Sequence, residues 1–437
     1  MSTKYFAENL EGWIAARPEN AVSPIDVERA ASGSRFLATG FPTTRHEDWK
    51  YTNLVPSVRT PFVAADRAHA ATVAVPDLAI QTFSDDAWRL VFVNGTFRAD
   101  LSHLEELPEG LRLLSLSDAI TSETASVATW IGDFPDSFSS PLVELNTAHL
   151  QDGLFLDVAD GIELERPIHL IHIGSEQAAT DGGTVSYLRH LIRIGNNAQA
   201  TLLEEFIALD DAPRMTNVVC EGSVGDGSRF EHVKIQREAK TAVHLAAGHM
   251  RLGRDATYAN NALAFGAKIA RNDPSARLEG EGGHAAIDGL YVVGRDQTLD
   301  AHTSIDHTVP NCTSHELYKG ILSENGHGVF NGKIFVQPKA QKTDSVQSNM
   351  NLLLSDESSI DTKPQLEIFA DDVKCTHGAT IGRIDDTALF YLRSRGIGKD
   401  EAFALLVAAF AAEVVTHIAH EGVREYAGSV LAAELSD

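Results

Sequence analysis

The sequence predicts a mainly β protein with a solenoid core and helical segments at both ends. Short alternating apolar runs, each closed by Gly, Asn or Asp, follow one another from Gly153 to about Gly382 and are typical of strands. Helical runs of roughly 10 to 15 residues do not separate them, which argues against β-α-β units and leaves a solenoid or a sandwich. Turn sequences recur at intervals of 30, 28 and 27 residues, beginning at Gly195, Gly225, Gly253 and Gly280. This near-constant interval favours the solenoid, because stacked coils need a turn at the same place.

The chain divides into three predicted regions: a helical and mixed cap over 1–150, the β-solenoid over 151–382 and a helical domain over 383–437. In the cap, Lys4 to Ala16 and Ile25 to Thr39 have helix-compatible spacing. Gly40-Phe41-Pro42 is predicted to end the second helix. A dense charged and aromatic stretch, Arg45 to Thr52, follows and is interpreted from its residues alone as a packed surface loop.

A transition from cap to core is predicted between Thr72 and Asn146. Leu90 to Val93 has the character of a strand, and the Asn94-Gly95 dipeptide after it suits a hairpin turn. Leu116 to Trp130 is helix-like. The core strands that follow include Leu154–Val158, Ile168–Ile173, Leu188–Ile194 and Thr201–Ile207.

Helices return after Gly382. Asp385 or Asp386 can cap a helix from Thr387 to Arg395, with Gly396 at its C′ position. Asp400 is predicted to cap a longer helix through His420, and Val423 to Leu435 forms the last helix. The long helix has an apolar stripe that is either intramolecular core or a partner-binding face; it comprises Phe403, Leu406, Val407, Phe410, Val414 and Ile418.

Composition narrows the class of function. The formal net charge of -25 repels nucleic acid and anionic membranes, since binding to either depends on clustered Lys and Arg. No secretory signal and no apolar run of roughly 18 residues is found, so we expect a cytoplasmic location and no membrane partner. Three cysteines, Cys220, Cys312 and Cys375, exclude a disulfide framework and a four-cysteine metal site within one chain.

The segment from Glu367 to Thr380 has the highest density of reactive side chains. On a strand, Cys375 and His377 face the same side, with Asp371 expected further along that face. A thiolate beside an imidazole suits iron or zinc, but two ligands leave a site incomplete unless another chain contributes. A purely structural pair and a Cys-His nucleophile remain alternatives, although no orienting third group or oxyanion site is identifiable.

Several further histidines fall in the core, and none has the helical His-x-x-x-His spacing of zinc proteases. They are interpreted as scattered polar residues of strand faces rather than as a metal site; they are His284, His302, His307, His315 and His327. The sequence has no Gly-rich nucleotide-binding fingerprint, so any ATP hydrolysis belongs to a partner.

Several segments of the sequence resemble the SufB/SufD family of iron-sulfur cluster assembly proteins, and the SufD branch in particular. The run from Asp371 to Thr380 (DDVKCTHGAT) and the run from Leu389 to Ile397 (LFYLRSRGI) are similar to the C-terminal signature of the family. Arg45 to Thr52 resembles an N-terminal hallmark of SufD. The core of the family is matched by Asn311 to Gly320, Asn331 to Lys333 and Gln347 to Asn349. SufB is the rival within the family, but its cysteine-rich N-terminal segment is missing here, where the first cysteine is Cys220.

The resemblance implies a right-handed parallel β-helix flanked by helical domains, acting as a non-catalytic scaffold subunit. It implies pairing with a SufB-type paralogue and docking of two copies of the SufC ATPase, and leaves open a homodimer of this chain when the paralogue is absent. His377, with Cys375, is then expected to meet iron or a nascent cluster shared with SufB, with no tightly bound cofactor. The SufC contacts are expected between about Asp386 and His420, with the candidate residues Phe390, Tyr391, Arg393, Arg395 and Phe403.

Two other functions remain as alternatives. One is an ATPase-docking adaptor without a metal role, for which Cys375 and His377 are dispensable. The other is a β-helix enzyme that acts on polysaccharides, with carboxylates and basic residues clustered on one face of the solenoid. Secretion normally accompanies that role.

Overall fold

The computed structural model describes residues 23–59, 61–76, 83, 86–132, 138, 140–177 and 182–436. The predicted helix from Lys4 to Ala16 lies outside the described residues. Within them the chain folds into a β-solenoid flanked by helices at both ends, which confirms the predicted fold class.

Two sheets of ten strands each form the body, and successive strands of the solenoid alternate between them. The first sheet runs in the order β19-β17-β15-β13-β11-β9-β7-β5-β4, with β1 beside β7, and the second in the order β20-β18-β16-β14-β12-β10-β8-β6-β2-β3. All pairings are parallel except β4 with β5 and β2 with β3. The strands are β1 Phe62–Ala64, β2 Trp88–Val93, β3 Thr96–Phe97, β4 Leu111–Ser115, β5 Leu154–Val158, β6 Ile168–Gly174, β7 Gly183–Ile194, β8 Gln199–Ala208, β9 Arg214–Val224, β10 Arg229–Arg237, β11 Val243–Leu252, β12 Thr257–Ala264, β13 Ile269–Leu278, β14 His284–Val293, β15 Thr298–His307, β16 Thr313–Leu322, β17 His327–Val336, β18 Asp344–Leu353, β19 Ser359–Ile368 and β20 Lys374–Gly382.

The register of the second sheet reproduces the turn spacing of the sequence. Gln199 pairs with Arg229, Arg229 with Thr257, and Thr257 with His284. These offsets of 30, 28 and 27 residues equal the predicted intervals, so each repeat is one coil. The coil corners require a left-handed backbone, which Asn197 and Asp255 adopt with φ of 50° and 52° because short polar side chains tolerate it.

The core lies between the two sheets. Leu156 and Ile192 of the first sheet and Leu170 and Leu202 of the second belong to one buried cluster that continues from coil to coil. The region predicted as the cap contributes β2 and β4 to the sheets, and β2 with β3 forms the predicted hairpin through Asn94-Gly95.

Seven helices are found in the described residues, and all except the fifth bury apolar side chains against the strands. They are α1 Pro24–Thr39, α2 Arg67–Ala70, α3 Leu116–Trp130, α4 Pro141–Ala148, α5 Asp386–Ser394, α6 Lys399–Thr416 and α7 Glu421–Glu434. Asp385 caps α5 as predicted, accepting from the backbone N–H of Thr387 at 2.9 Å. The predicted cap of α6 is wrong: Gly398 occupies the N-cap position, and Asp400 lies inside the first turn, where its charge favours the helix dipole.

The C-terminal helices pack on the outer face of the second sheet. One buried cluster contains Val407 and Val414 of the long helix and Ile418 just after it, together with strand residues such as Val233 and Leu290. This part of the apolar stripe is therefore intramolecular core. None of the helices in the described part of the chain has the length and apolar character needed to cross a membrane.

The predicted surface loop Arg45 to Thr52 crosses the outer face of the first sheet and contains a 3-10 turn, Glu47–Trp49. Trp49 is buried, and the Arg271 guanidinium lies 3.9 Å from the centroid of its ring. Thr52 donates a hydrogen bond to Asp300, and Glu47 forms an ion pair with Lys363 of β19 at 2.7 Å. The segment thus connects the N-terminal region to the last coil.

Candidate functional site

The C-terminal end of the solenoid is uncovered in the described structure. β19 pairs only with β17, and β20 only with β18, so each sheet ends on a strand with one unpaired edge. Large apolar side chains are exposed there, including Phe369 and Ile381, with Ile381 52% exposed. Unpaired parallel edges with exposed apolar residues are suited to pairing with another chain.

Cys375 and His377 lie on β20, the strand at this open edge. Cys375 pairs in register with Ser345 of β18, and His377 with Gln347. Ser345 and Gln347 are fully buried, and residues in register on neighbouring strands share a face, so Cys375 and His377 both belong to the inner face of the solenoid. The predicted common face of the pair is thus present.

Cys375 is half-buried and packs against the solenoid core. Burial, together with the charge of Asp344, raises the pKa of its thiol, although the backbone of Ser345 acts in the opposite direction. The free side chain is therefore a thiol at neutral pH, and binding a soft cation would require loss of its proton.

Behind His377 a line of hydrogen-bonded polar groups runs into the solenoid. Gln347 donates from Nε2 to Glu316 Oε2 at 2.7 Å, and Thr303 donates to the other oxygen of Glu316. Burial raises the pKa of Glu316 to about 7, although the two hydrogen bonds lower it. Gln347 Oε1 is buried and has no hydrogen-bond partner among the described residues.

Asp371 does not join the pair on a strand face. It is exposed in the turn before β20, which begins only at Lys374. Its neighbour Asp372 forms an ion pair with Lys342, and this contact fixes the turn rather than the site. The expectation that Asp371 continues the face of Cys375 and His377 is therefore wrong.

The residues predicted to bind an ATPase occupy α5 and the loop and helix that follow it. Phe390 and Tyr391 are 72% and 56% exposed. Arg395 donates to the Tyr391 hydroxyl at 3.0 Å, and Arg393 is exposed on the same helix. Phe403 differs, because it is half-buried against the cluster beneath α6 and α7.

All five histidines singled out in the sequence have a polar partner within 3.5 Å. His302 contacts Asp300 at 3.1 Å, and His327 contacts Asp361 at 2.9 Å. The remaining pairs are His284 with Thr313, His307 with Ser314 and His315 with Asp288.

A buried histidine cluster inside the solenoid was not predicted. His190 and His232 each lie 2.9 Å from a carboxylate oxygen of Glu204, and His172 lies 3.5 Å away. Burial acts to raise the pKa of Glu204, but the histidines hold it well below its usual range. The Leu154 backbone N–H donates to His190 Nδ1, so the proton of that ring is on Nε2 and points to Glu204. The His190 ring therefore offers Glu204 a proton rather than offering a metal a lone pair.

A second unpredicted cluster lies where α6 meets the second sheet: Asp288, His315 and His417 each place a ligand atom within 4.8 Å of the others. Sequence reasoning missed it because Asp288 and His417 are distant in the chain and only the packing of α6 joins them.

Comparison with known proteins identifies the family of the chain. A family model described as the SufBD core domain of SUF system FeS cluster assembly matches residues 176–410, and one for the SufBD protein N-terminal region matches residues 14–170. Iron-sulfur cluster assembly protein SufD of Escherichia coli is 34% identical over 90% of this chain and 88% of its own length. An iron-sulfur cluster assembly SufBD family protein of Synechocystis is 31% identical over 86% of this chain and 84% of its own. Protein ABCI7, chloroplastic, of Arabidopsis thaliana is 26% identical over 96% of this chain and 88% of its own length. The chain therefore belongs to the SufBD family of iron-sulfur cluster assembly proteins.

Proposed function

We propose that this chain is a non-catalytic scaffold subunit that pairs with a SufB-type paralogue through the open end of its solenoid. One observation carries the proposal: two strands with unpaired edges, β19 and β20, end the solenoid, and His377 and Cys375 lie on one of them. A related solenoid could continue both sheets across this edge by main-chain hydrogen bonds.

The ligand set supports a shared site. Cys375 and His377 supply one sulfur and one nitrogen, whereas iron and iron-sulfur clusters usually take four ligands in total. A paralogue paired at the same edge would complete the set. Iron or a nascent cluster is then the cargo of the interface, held between two chains and released when they separate.

The C-terminal helices would dock the SufC ATPase. Phe390 and Tyr391 are large, exposed and next to Arg393 and Arg395, and aromatic residues with arginine are typical of binding hot spots. α6 and α7 are anchored on the second sheet by buried apolar residues. A movement imposed on these helices by ATP-driven dimerisation of SufC would therefore act on the solenoid itself.

The test is co-expression of this chain with SufB and SufC from the same source, followed by size-exclusion chromatography with mass detection. We expect one copy of SufB, one of this chain and two of SufC. If the chain elutes alone while SufB and SufC associate without it, the scaffold role is wrong.

The metal role needs a separate experiment, because an adaptor without a metal role would form the same complex. His377→Ala, in the intact complex, should lower the rate of cluster assembly measured by absorbance. The Cys375→Ser variant tests the thiol in the same assay. Unchanged assembly when both residues are replaced would establish the adaptor instead.

A further inference from the structure

A cluster of metal-ligating side chains lies on the outer surface of the second sheet, away from the open end. Asp288 is on β14, His315 is on β16 and His417 is the C-cap of α6. Asp288 Oδ2 is 2.7 Å from His417 Nδ1, and Asp288 Oδ1 is 3.5 Å from His315 Nδ1.

Two separate features of the fold bring these residues together. In the parallel register Ala286 pairs with His315 and Asp288 with Leu317, so Asp288 and His315 are diagonal neighbours on one face of the sheet. α6 then packs on that face through buried apolar residues, which places His417, at its C-terminal end, in contact with Asp288. The three residues therefore join the solenoid to the C-terminal helical domain.

The donor set suits a divalent transition metal. Two imidazoles and one carboxylate form the set typical of mononuclear Fe²⁺ sites with open positions, and zinc accepts the same ligands. With metal–ligand bonds of roughly 2.0–2.1 Å, tetrahedral ligands lie about 3.3 Å apart. His315 Nδ1 lies 3.5 Å from Asp288 Oδ1, which is close to this spacing. His417 Nδ1 lies 2.7 Å from the other oxygen, Oδ2, so an ion bound by all three residues requires this contact to open.

The surroundings favour a cation at this point. Asp288 is only 3% exposed, and the Leu317 backbone N–H donates to its Oδ1 at 2.8 Å, which orients the carboxylate. The imidazoles are 42% and 35% exposed, so solvent or a second molecule can reach the open positions. His417 also ends an 18-residue helix, whose C-terminal dipole attracts positive charge.

We propose that Asp288, His315 and His417 bind one divalent transition-metal cation, of the Fe²⁺ or Zn²⁺ class, that joins the C-terminal helical domain to the solenoid. The inference does not depend on the proposed partners or on the site at the solenoid end. It gives the chain a metal site of its own, complete without a second subunit except for its exchangeable solvent position.

The test uses tag-free full-length protein with Cys375→Ser and His377→Ala in the background, so that the solenoid end cannot supply ligands. Zn²⁺ is titrated by calorimetry and Co²⁺ by visible absorption, and Fe²⁺ is added under anaerobic conditions. We expect one bound ion per chain and cobalt bands typical of four or five ligands. His315→Ala should weaken binding roughly 100-fold, since loss of a direct ligand exceeds the effect of losing an outer partner.

His315→Ala is the decisive variant because the side chain is half-exposed and its loss leaves the contact between Asp288 and His417 in place. His327→Ala, which removes another histidine from a two-residue pair with Asp361, is the matched control and should bind as the background does. Equal binding with and without His315, or no binding by the background protein, would overturn the proposal. The three residues would then be only an ion pair that fastens α6.

Discussion

His377 on the last strand of the solenoid stands in register with Gln347 on the strand before it, and both belong to the inner face. Gln347 turns its amide nitrogen inward to Glu316 and leaves its oxygen without a partner among the described residues. The coil before the last thus carries a buried acceptor in register with His377, and the ionisable carboxyl of Glu316 lies one coil further in. This arrangement leads to the first prediction.

Gln347→Leu should destabilise the protein, because it removes the amide donor to the buried Glu316. Leaving a buried acceptor with one partner fewer costs about 1–3 kcal/mol, measurable as a lower free energy of unfolding in urea. Gln365→Leu is the control: this half-buried glutamine on β19 contacts Asn331 at 3.0 Å, and its loss should cost less than about 1 kcal/mol. Equal effects of the two substitutions would show that the buried hydrogen bond from Gln347 to Glu316 stabilises the protein no more than the half-buried contact of Gln365.

Ile381→Lys should weaken association with the paralogue without changing the fold. Ile381 is exposed on the open strand β20, so a charge there costs little in the free chain but would be buried in a paired edge. Size-exclusion chromatography with mass detection of the co-expressed proteins should show at least a roughly tenfold loss of complex. Val27→Lys, a similar change on the exposed face of α1, should leave the complex unaltered.

Replacing Phe390 and Tyr391 together by Ala should reduce ATPase docking while the free energy of unfolding changes by less than about 0.5 kcal/mol. Both side chains are mainly exposed, and truncating aromatic hot spots costs 2 kcal/mol or more of binding, or roughly 30-fold in affinity. Titration calorimetry with SufC gives the affinity.

Leu431→Ala should behave in the opposite way. Leu431 of α7 is buried against the second sheet, and removing a buried leucine costs about 2–5 kcal/mol of stability. Intact SufC binding by the aromatic double variant would mean that the ATPase uses another surface.

Stability should fall as the pH is lowered from about 6.5 toward 4. Burial lowers the pKa of His172 to about 4, against the opposing effect of Glu204, whereas the unfolded chain keeps the ordinary value near 6.5. The unfolded chain therefore binds more protons in this window, and stability that is complete above pH 6.5 is lost below it. The contribution is on the order of 3 kcal/mol, to be measured by urea unfolding at pH 7 and pH 4.5.

His172→Leu should flatten this pH dependence, because the substituted side chain cannot take up a proton. The substitution should cost on the order of 1 kcal/mol at pH 7, since Nδ1 of His172 has no hydrogen-bond partner among the described residues and Nε2 makes only a long contact of 3.5 Å with Glu204, which keeps His190 and His232 as partners. A pH profile as steep as that of the unchanged protein would assign the acid sensitivity to other buried groups.

Local patterns in the sequence predicted the repeating part of the fold well. The glycine-led turns gave the coil length, because every coil needs its corner at the same position, and Asp385 gave the start of α5. The pair Cys375 and His377 was found because alternate strand residues share a face. The prediction is wrong where one local signal has several solutions: Asp400 is a suitable capping residue, but Gly398 occupies the N-cap position.

Contacts made by packing could not be predicted in the same way. No periodicity relates Asp288 to His417, which meet only because α6 lies across the second sheet. Glu204 and its three histidines lie on four different strands and become neighbours through coil stacking. The division of the apolar stripe into buried Val414 and half-buried Phe403 likewise depends on which part of α6 packs against its neighbours.

The strap formed by Arg45 to Thr52 has a consequence for biosynthesis. Its anchors are Asp300 on β15 and Lys363 on β19, although the strap itself is translated before the described strands of the solenoid. A ribosome must therefore release almost the entire solenoid before both anchors of the strap can form, and the part of the first sheet that the strap covers is exposed until then. Contacts so distant in sequence also slow folding, because the chain must close a large loop before the contact is made.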